Sequence, residues 1–390
     1  MIIVFTFFSK IKRYISISVY FPLALLLYLL NIKVPFFNVD RIGHLLVEPD
    51  SFVKEYILKN DVKPKAIFLA PLNEVANQRV VECWKKYFLV IQNPILCKVL
   101  MPLAFHPLLA INTKKYAAVV DEAGSSFLIN NQWGDKNPLF SLNKSENKLG
   151  LSILNEIGVR PHEWFVCIHN REAGYDLHQD PEASKYHNFR NFPCSDLFLA
   201  ADYINSIGGV CIRMGDNNMK PVSHKGIIDY ALSSHRSEFM DLYLGSKAKF
   251  FLGSTSGACN LSFIFGVPIA NVNMSPITSV TYGVNDISIP MLVRNKKTKE
   301  RLSFSNILSG PLANIRTSEG WEKTNFELER NTPEDILELT KEQLQRIDKQ
   351  YHEDPKANIL NQKLKSLYQP RHYCYGASSK MGDHFIKKYF

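Results

Sequence analysis

The chain has no C-x-x-C pair. Its seven cysteines, Cys83, Cys97, Cys167, Cys194, Cys211, Cys259 and Cys374, are odd in number and scattered. That excludes a zinc-finger framework and a thioredoxin-type dithiol. Most sit in apolar segments, where a free Cys behaves as a small hydrophobe, and a reduced, cytoplasmic compartment is expected. D-x-D, H-E-x-x-H and Cys–His clusters are absent, so no bound metal is expected. There is no G-x-G-x-x-G and no Gly-Lys-Ser/Thr, which argues against a nicotinamide, a flavin or a Walker loop. No run of Lys and Arg is interleaved with aromatics, so nucleic acid is not the expected partner despite a formal charge of +9. That charge suits a phosphate-bearing small molecule or a membrane face instead.

What is present is globular: 390 residues, 46% hydrophobic and 21% charged, enough for two domains of ordinary size. The N-terminus stands apart. Lys10, Lys12 and Arg13 precede YISISVYFPLALLLYLLNI, uncharged from Tyr14 to Ile32. Its length is borderline for spanning a bilayer. It reads as a membrane-associated helix over residues 1–34, lying in the cytoplasmic interface or crossing the bilayer, with a buried structural helix as the remaining alternative.

Beyond it, strand and helix patterns alternate. Strands are expected over residues 65–70, 116–121, 164–169, 210–214, 249–252 and 267–272, and helices over 195–207, 237–244 and 258–265. Residues 124–150 read as a polar, loop-rich approach to a boundary. Thr332-Pro333-Glu334-Asp335 opens a helix, with a capping hydroxyl, Pro at the first position and acids in the first turn. The expectation is two doubly wound α/β domains, 35–155 and 156–330, followed by C-terminal helices over 331–390.

The segment KFFLGSTSGACNLSFIFGVPIANV carries the clearest chemistry. Ser254, Thr255, Ser256 and Gly257 fall between an expected strand and an expected helix, where unpaired N–H groups and hydroxyls can hold a phosphate. Ordinary N-capping would use one hydroxyl, not three between glycines. Arg171, Arg190 and Arg213 fall at or after strand ends, where a guanidinium fork can grip a diphosphate or pair with an internal carboxylate. Asp229, Tyr230 and Asp241 are candidate contacts to a ribose or base, although Asp241 could equally cap its own helix. In NVDRIGHLLVEPD, His44 is expected on a loop as a general base for a hydroxyl nucleophile, or as a packed loop histidine.

RIGHL, FVCIHNREAGYD, HNFRNFP, IRMGD, IIDYA, EFMDLYL and FFLGSTSGACNLSFIFGVPIANVN resemble, in order, the sequence blocks of a bacterial family of glycosyltransferases. More remotely, HNRE and STSG are similar to donor-site motifs of the fucosyltransferase-type superfamily. That resemblance implies a GT-B-like fold, two Rossmann-like domains facing a cleft. It also implies metal-independent transfer from a nucleotide-sugar, which is a co-substrate and not a cofactor. Arg171 would grip the donor diphosphate and residues 254–257 would close on it. Glu172-Ala173-Gly174 depart from the superfamily's usual basic and acidic residues after the Arg, so GDP-fucose is not carried over. The acceptor implied is a cell-surface glycan or a lipid-linked precursor, such as one of polysaccharide or lipopolysaccharide synthesis, at the cytoplasmic face of the inner membrane. A polysaccharide pyruvyl transferase-like enzyme and a non-catalytic, membrane-bound glycan-assembly protein are the alternatives.

Overall fold

The structure is a computed structural model that describes residues 2–117, 121–173 and 186–390, with side chains from residue 16 onward. The chain divides into two compact units, Met1–Ala117 and Ala118–Phe390.

In the first unit, strands β1 (Ile67–Leu69) and β2 (Leu89–Ile91) form a parallel pair. Around it stand helices Ile2–Leu29, Ile42–Asn60, Gln78–Trp84 and Pro94–Ala104. Phe37, Phe52, Phe68 and Phe88 meet ring to ring at centroid distances from 5.3 to 6.0 Å and form the centre of the core. Helix Ile42–Asn60 was not among the expected elements, and it carries Pro49 in its interior. Proline cannot donate the N–H that would bond the carbonyl four residues back, here Leu45. The indole Nε1 of Trp84 donates to that same Leu45 oxygen at 2.9 Å, so the helix continues through Pro49 with the acceptor satisfied.

The second unit is built on seven parallel strands in the order β11-β8-β7-β6-β3-β4-β5. These are β3 (Trp164–His169), β4 (Gly209–Arg213), β5 (Ile227–Ile228), β6 (Phe251–Ser254), β7 (Ile269–Met274), β8 (Ile287–Pro290) and β11 (Lys380–Met381). A separate antiparallel pair joins β9 (Leu292–Asn295) to β10 (Phe326–Glu329). Counting from β3, the large sheet runs 3-2-1-4-5-6 and then a seventh strand, the doubly wound order of a dinucleotide-binding domain. Phe165, Val166, Cys167 and Ile168 are buried on both faces of β3, as a parallel sheet covered on both sides requires. The α/β expectation holds.

Local signals held where they were purely local. Gly208, at φ +83°, follows helix Phe198–Ser206 as the left-handed residue beyond its end. Thr332 caps helix Pro333–Ile347 in a reciprocal box with Asp335. Residues 124–150 are not a loop. They contain helix Ser125–Trp133, which buries Phe127, Ile129 and Trp133, and most of helix Lys144–Glu156, which opens on an Asn143–Glu146 capping box. Both helices belong to the second unit, so the division falls near residue 117 where the sequence suggested 155. Of the strand expected over 116–121, Tyr116 closes a 3-10 turn and residues 118–120 lie outside the described residues.

Candidate functional site

In a sheet of this order, ligands bind beyond the carboxyl ends of the strands where the winding reverses. Here that point lies between β3 and β6, adjacent and in register at His169 and Gly253. A Cβ on Gly253 would sit 2.4 Å from the His169 carbonyl oxygen, so only glycine lets the two strands approach there. The HNRE run leaves one strand at this point and GSTSG leaves the other.

Most of HNRE is a brace. His169 is buried and its Nδ1 donates to the Met214 carbonyl at 3.0 Å, tying the ends of β3 and β4. Burial holds its pKa down at about 4, so the imidazole is neutral. Asn170, fully buried, donates to Glu172 Oε1 at 2.7 Å and to the Phe192 carbonyl at 3.2 Å. Its Oδ1 accepts from Arg213 Nε at 3.1 Å.

Arg213 has no exposed surface. Nη1 reaches Asp229 Oδ1 at 3.0 Å and the Lys220 carbonyl at 3.0 Å, and Nη2 reaches Glu172 Oε1 at 3.0 Å. Every guanidinium nitrogen is therefore engaged internally. Arg213 and Asp229 are not placed to grip a diphosphate or a ribose; they are a buried strut that fixes the loops after β3 and β4. Asp229 also accepts from Val222 N at 3.0 Å, and Glu172 Oε2 from Lys220 N at 2.8 Å.

Tyr230 and Asp241 form a second internal cluster. The fully buried Tyr230 donates its hydroxyl to Asp241 Oδ1 at 2.9 Å and accepts from Ser237 N at 3.1 Å. Ser237 caps helix Glu238–Lys247 through Met240 N. Burial pushes the Asp241 carboxyl up to about 6. This is helix-start architecture, and the expected contact with a base or ribose is replaced by capping.

The remaining positions do converge. Arg190 Nη1 donates to the Thr255 carbonyl at 3.2 Å, seating the segment 186–193 against the turn after β6. The Arg171 carbonyl accepts from Phe192 N at 3.1 Å, so the half-buried Arg171 is joined to the same segment. Thr255 Oγ1 accepts from Asn271 Nδ2 at 3.2 Å, from a side chain on β7. Ser254 Oγ and Ser256 Oγ are both buried with no hydrogen-bond partner among the described residues, and a buried hydroxyl left so costs about 1–3 kcal/mol. Two orphaned hydroxyls on one turn at the winding reversal are what a polar ligand would satisfy. Gly257 does not open the expected long helix. A 3-10 turn, Gly257–Cys259, leads into a helix of only four residues, Asn260–Phe263, so the helix dipole contributes little here.

Arg316 is a largely buried arginine that sequence reasoning did not single out. Nη1 donates to Ser279 Oγ at 3.1 Å, on the loop after β7, and the guanidinium lies 5.2 Å from the Tyr373 ring centroid. Nε and Nη2 are buried without a partner, and among the described residues no carboxylate pairs with it. Burial lowers its pKa. No strand or motif flags this arginine in the sequence; only burial without a counter-ion does.

In the first unit His44 lies in the opening turn of helix Ile42–Asn60, not on a loop. Its Nδ1 is 2.6 Å from Oε1 of the buried Glu48, whose Oε2 accepts from Asn38 N at 3.2 Å. A carboxylate at Nδ1 fixes the tautomer that leaves Nε2 as the proton acceptor. Glu48 is one helical turn on and was legible as an i,i+4 partner only once the helix was recognised. Among the described residues no three or more His, Cys, Asp or Glu side chains are grouped to hold a metal.

No protein-family model matches the chain, and no curated protein matches it. Solved structures similar to it include two transferases. One is a family 9 glycosyl transferase from Veillonella parvula DSM 2008, at 11% identity and a TM-score of 0.44, covering 66% of this chain and 85% of that one. The other is the ADP-heptose LPS heptosyltransferase II of E. coli, at 10% identity and a TM-score of 0.36, covering 66% and 89%. At these values neither likeness carries the functional argument, which rests on the site itself.

Proposed function

We propose that the protein is a glycosyltransferase that takes a sugar from a nucleoside-diphosphate donor and delivers it to a cell-surface glycan or a lipid-linked acceptor. The observation that carries the reading is the pair of unsatisfied hydroxyls, Ser254 and Ser256, at the winding reversal of a doubly wound sheet. Arg190 is bonded to the same turn. The diphosphate would take hydrogen bonds from these hydroxyls and charge from Arg171 and Arg190. Arg316, cationic and without a carboxylate on the same carboxyl edge of the sheet, is the third arginine of the reading. It takes the role that Arg213, spent on Glu172 and Asp229, does not fill.

In the reaction the acceptor hydroxyl oxygen attacks the anomeric carbon, and the bond from that carbon to the diphosphate oxygen breaks. The hydroxyl proton goes to a base, for which His44 Nε2 is the assigned group, oriented by Glu48. The bonding electrons leave on the diphosphate, where arginine and hydroxyl donors stabilise the growing charge without a metal.

The test is thermal stabilisation of the purified protein by GDP, UDP, CMP, dTDP and phosphoenolpyruvate. A ligand that binds only the folded state raises the midpoint according to its concentration over its dissociation constant. One nucleoside diphosphate should stabilise the wild type and should fail to stabilise Arg171→Ala that is folded by circular dichroism. Stabilisation by phosphoenolpyruvate alone, or by none of the five, would overturn the reading.

A further inference from the structure

We propose that the first unit docks on an anionic lipid leaflet through a platform of two helices, Ile2–Leu29 and Pro94–Ala104, both lying in the membrane interface. This goes beyond the transfer chemistry and does not depend on it. Tyr20, Ala24 and Leu27, at helical spacing, face a small apolar cluster that includes Cys97, Leu103 and Ala104. The Tyr20 hydroxyl donates to the Val99 carbonyl at 2.6 Å, and His106 Nε2 bonds the Ile17 carbonyl at 3.2 Å. The two helices are thus fastened into one body.

That stripe covers only part of the first helix. Val19, Phe21, Leu23, Leu26, Tyr28 and Leu29 are all exposed, from 38% to 72%. At 100° per residue these six spread over roughly 220° of the helix circumference. The second helix adds Ile95 at 74% and Val99 at 49%, and Phe105 beyond its end is 58% exposed. A groove of about 620 Å³ along it is lined by Ile95, Met101 and Phe105, with Lys98 and Glu74 as its charged residues. A helix apolar nearly all round belongs in a core or in lipid. A protein partner docking on one side would cover a fraction of that arc, whereas acyl chains cover all of it.

Charge selects the kind of lipid. Residues 1–39 contain no Asp or Glu but carry Lys10, Lys12, Arg13 and Lys33. Helix Pro94–Ala104 has the exposed Lys98 and no acid. Two helices that carry no acid of their own, one of them with the exposed Lys98, suit an anionic leaflet. At 11 residues the second helix is ~16 Å long, against about 30 Å of hydrocarbon, so it lies in the interface rather than crossing it.

The experiment is co-sedimentation of the full chain with vesicles of phosphatidylcholine alone and with phosphatidylglycerol added. The wild type should bind the phosphatidylglycerol vesicles more tightly, and the preference should shrink at high salt. Ile95→Glu with Val99→Glu, both at exposed positions, should keep the circular dichroism of the wild type. It should lose roughly a hundredfold in vesicle affinity, since each change withdraws a large aliphatic side chain from lipid and adds a charge. Ile359→Glu, an equally exposed apolar position in the second unit, should bind as the wild type does. Three results would overturn the proposal: a wild type that leaves both vesicles unbound, a double variant that binds normally, or a chain that self-associates through this face in place of binding vesicles. The second would mean that the N-terminal helix attaches alone.

Discussion

Arg213→Ala is the substitution that most cleanly separates two readings of one residue. As a donor-gripping side chain, Arg213 would be dispensable for folding. As found, its guanidinium makes hydrogen bonds to Asn170, Glu172, Asp229 and the Lys220 carbonyl at 3.0–3.1 Å, with no exposure of its own side chain and 16% for each carboxylate partner. Removing it leaves two nearly buried carboxylates beside Asn170 without their cation. Breaking a buried ion pair from one side costs about 3–5 kcal/mol, a large part of the 5–15 kcal/mol that ordinarily holds a domain folded. For a unit of this size, each kcal/mol moves the melting point by about 2–4 °C, so a fall of roughly 10 °C is expected. Adding Glu172→Gln and Asp229→Asn to Arg213→Met should recover much of it, because the stranded charges go with the arginine. The assay is thermal unfolding of the full chain followed by near-ultraviolet circular dichroism. If Arg213→Ala melts within about 2 °C of the wild type and only nucleotide stabilisation is lost, the strut assignment is wrong and Arg213 belongs to the donor.

Ser254→Ala should have the opposite sign in the ligand-free protein: removing an orphaned buried hydroxyl leaves the stability unchanged or raises it, by up to about 3 kcal/mol, while nucleotide stabilisation falls. A clear drop without ligand would mean that Ser254 has an internal role. Glu342 is buried beside Asp383, and burial first, then that neighbour's charge, push its carboxyl from 4.5 up to about 7. A raised acid stabilises the fold below its unfolded value and loses that contribution as pH rises through the folded one, so the melting point should decline between 4.5 and about 7. Glu342→Gln should flatten that decline, and an unchanged slope measured by scanning calorimetry would refute the assignment. Asp50, fully buried, pairs with Lys54 at 2.8 Å. Asp50→Ala should destabilise the first unit by about 3–5 kcal/mol, measured by urea unfolding, because Lys54 stays buried without its carboxylate.

These expectations differ in how far their causes lie apart along the chain, and the same distance sets what could be read beforehand. The β3 run WFVCIH, the glycine after helix Phe198–Ser206 and the Thr332 box were legible because each depends on residues within one element. The turn 254–257 was legible as a position, since its hydroxyls follow an apolar strand, but not as a short 3-10 turn where a long helix was expected. What could not be read is pairing. Arg213 looked like a ligand group because a sequence displays a charge without its partner: Glu172 lies 41 residues back and Asp229 16 residues on. Arg316 shows the converse. It looked ordinary, and only buried nitrogens without a carboxylate among the described residues mark it. Pro49 joins the two lessons. Its missing N–H leaves the Leu45 carbonyl without its helical partner, yet an indole 39 residues from Leu45 supplies the bond, and the helix so preserved is the one that sets Glu48 a turn beyond His44. The His44–Glu48 pair proposed as the base therefore depends on a tryptophan in another helix. Trp84→Phe, which keeps the ring and removes the donor, should loosen the His44–Glu48 geometry without touching either residue. His44 imidazole resonances unchanged from the wild type in that variant, measured by NMR, would show that the helix holds its course without Trp84.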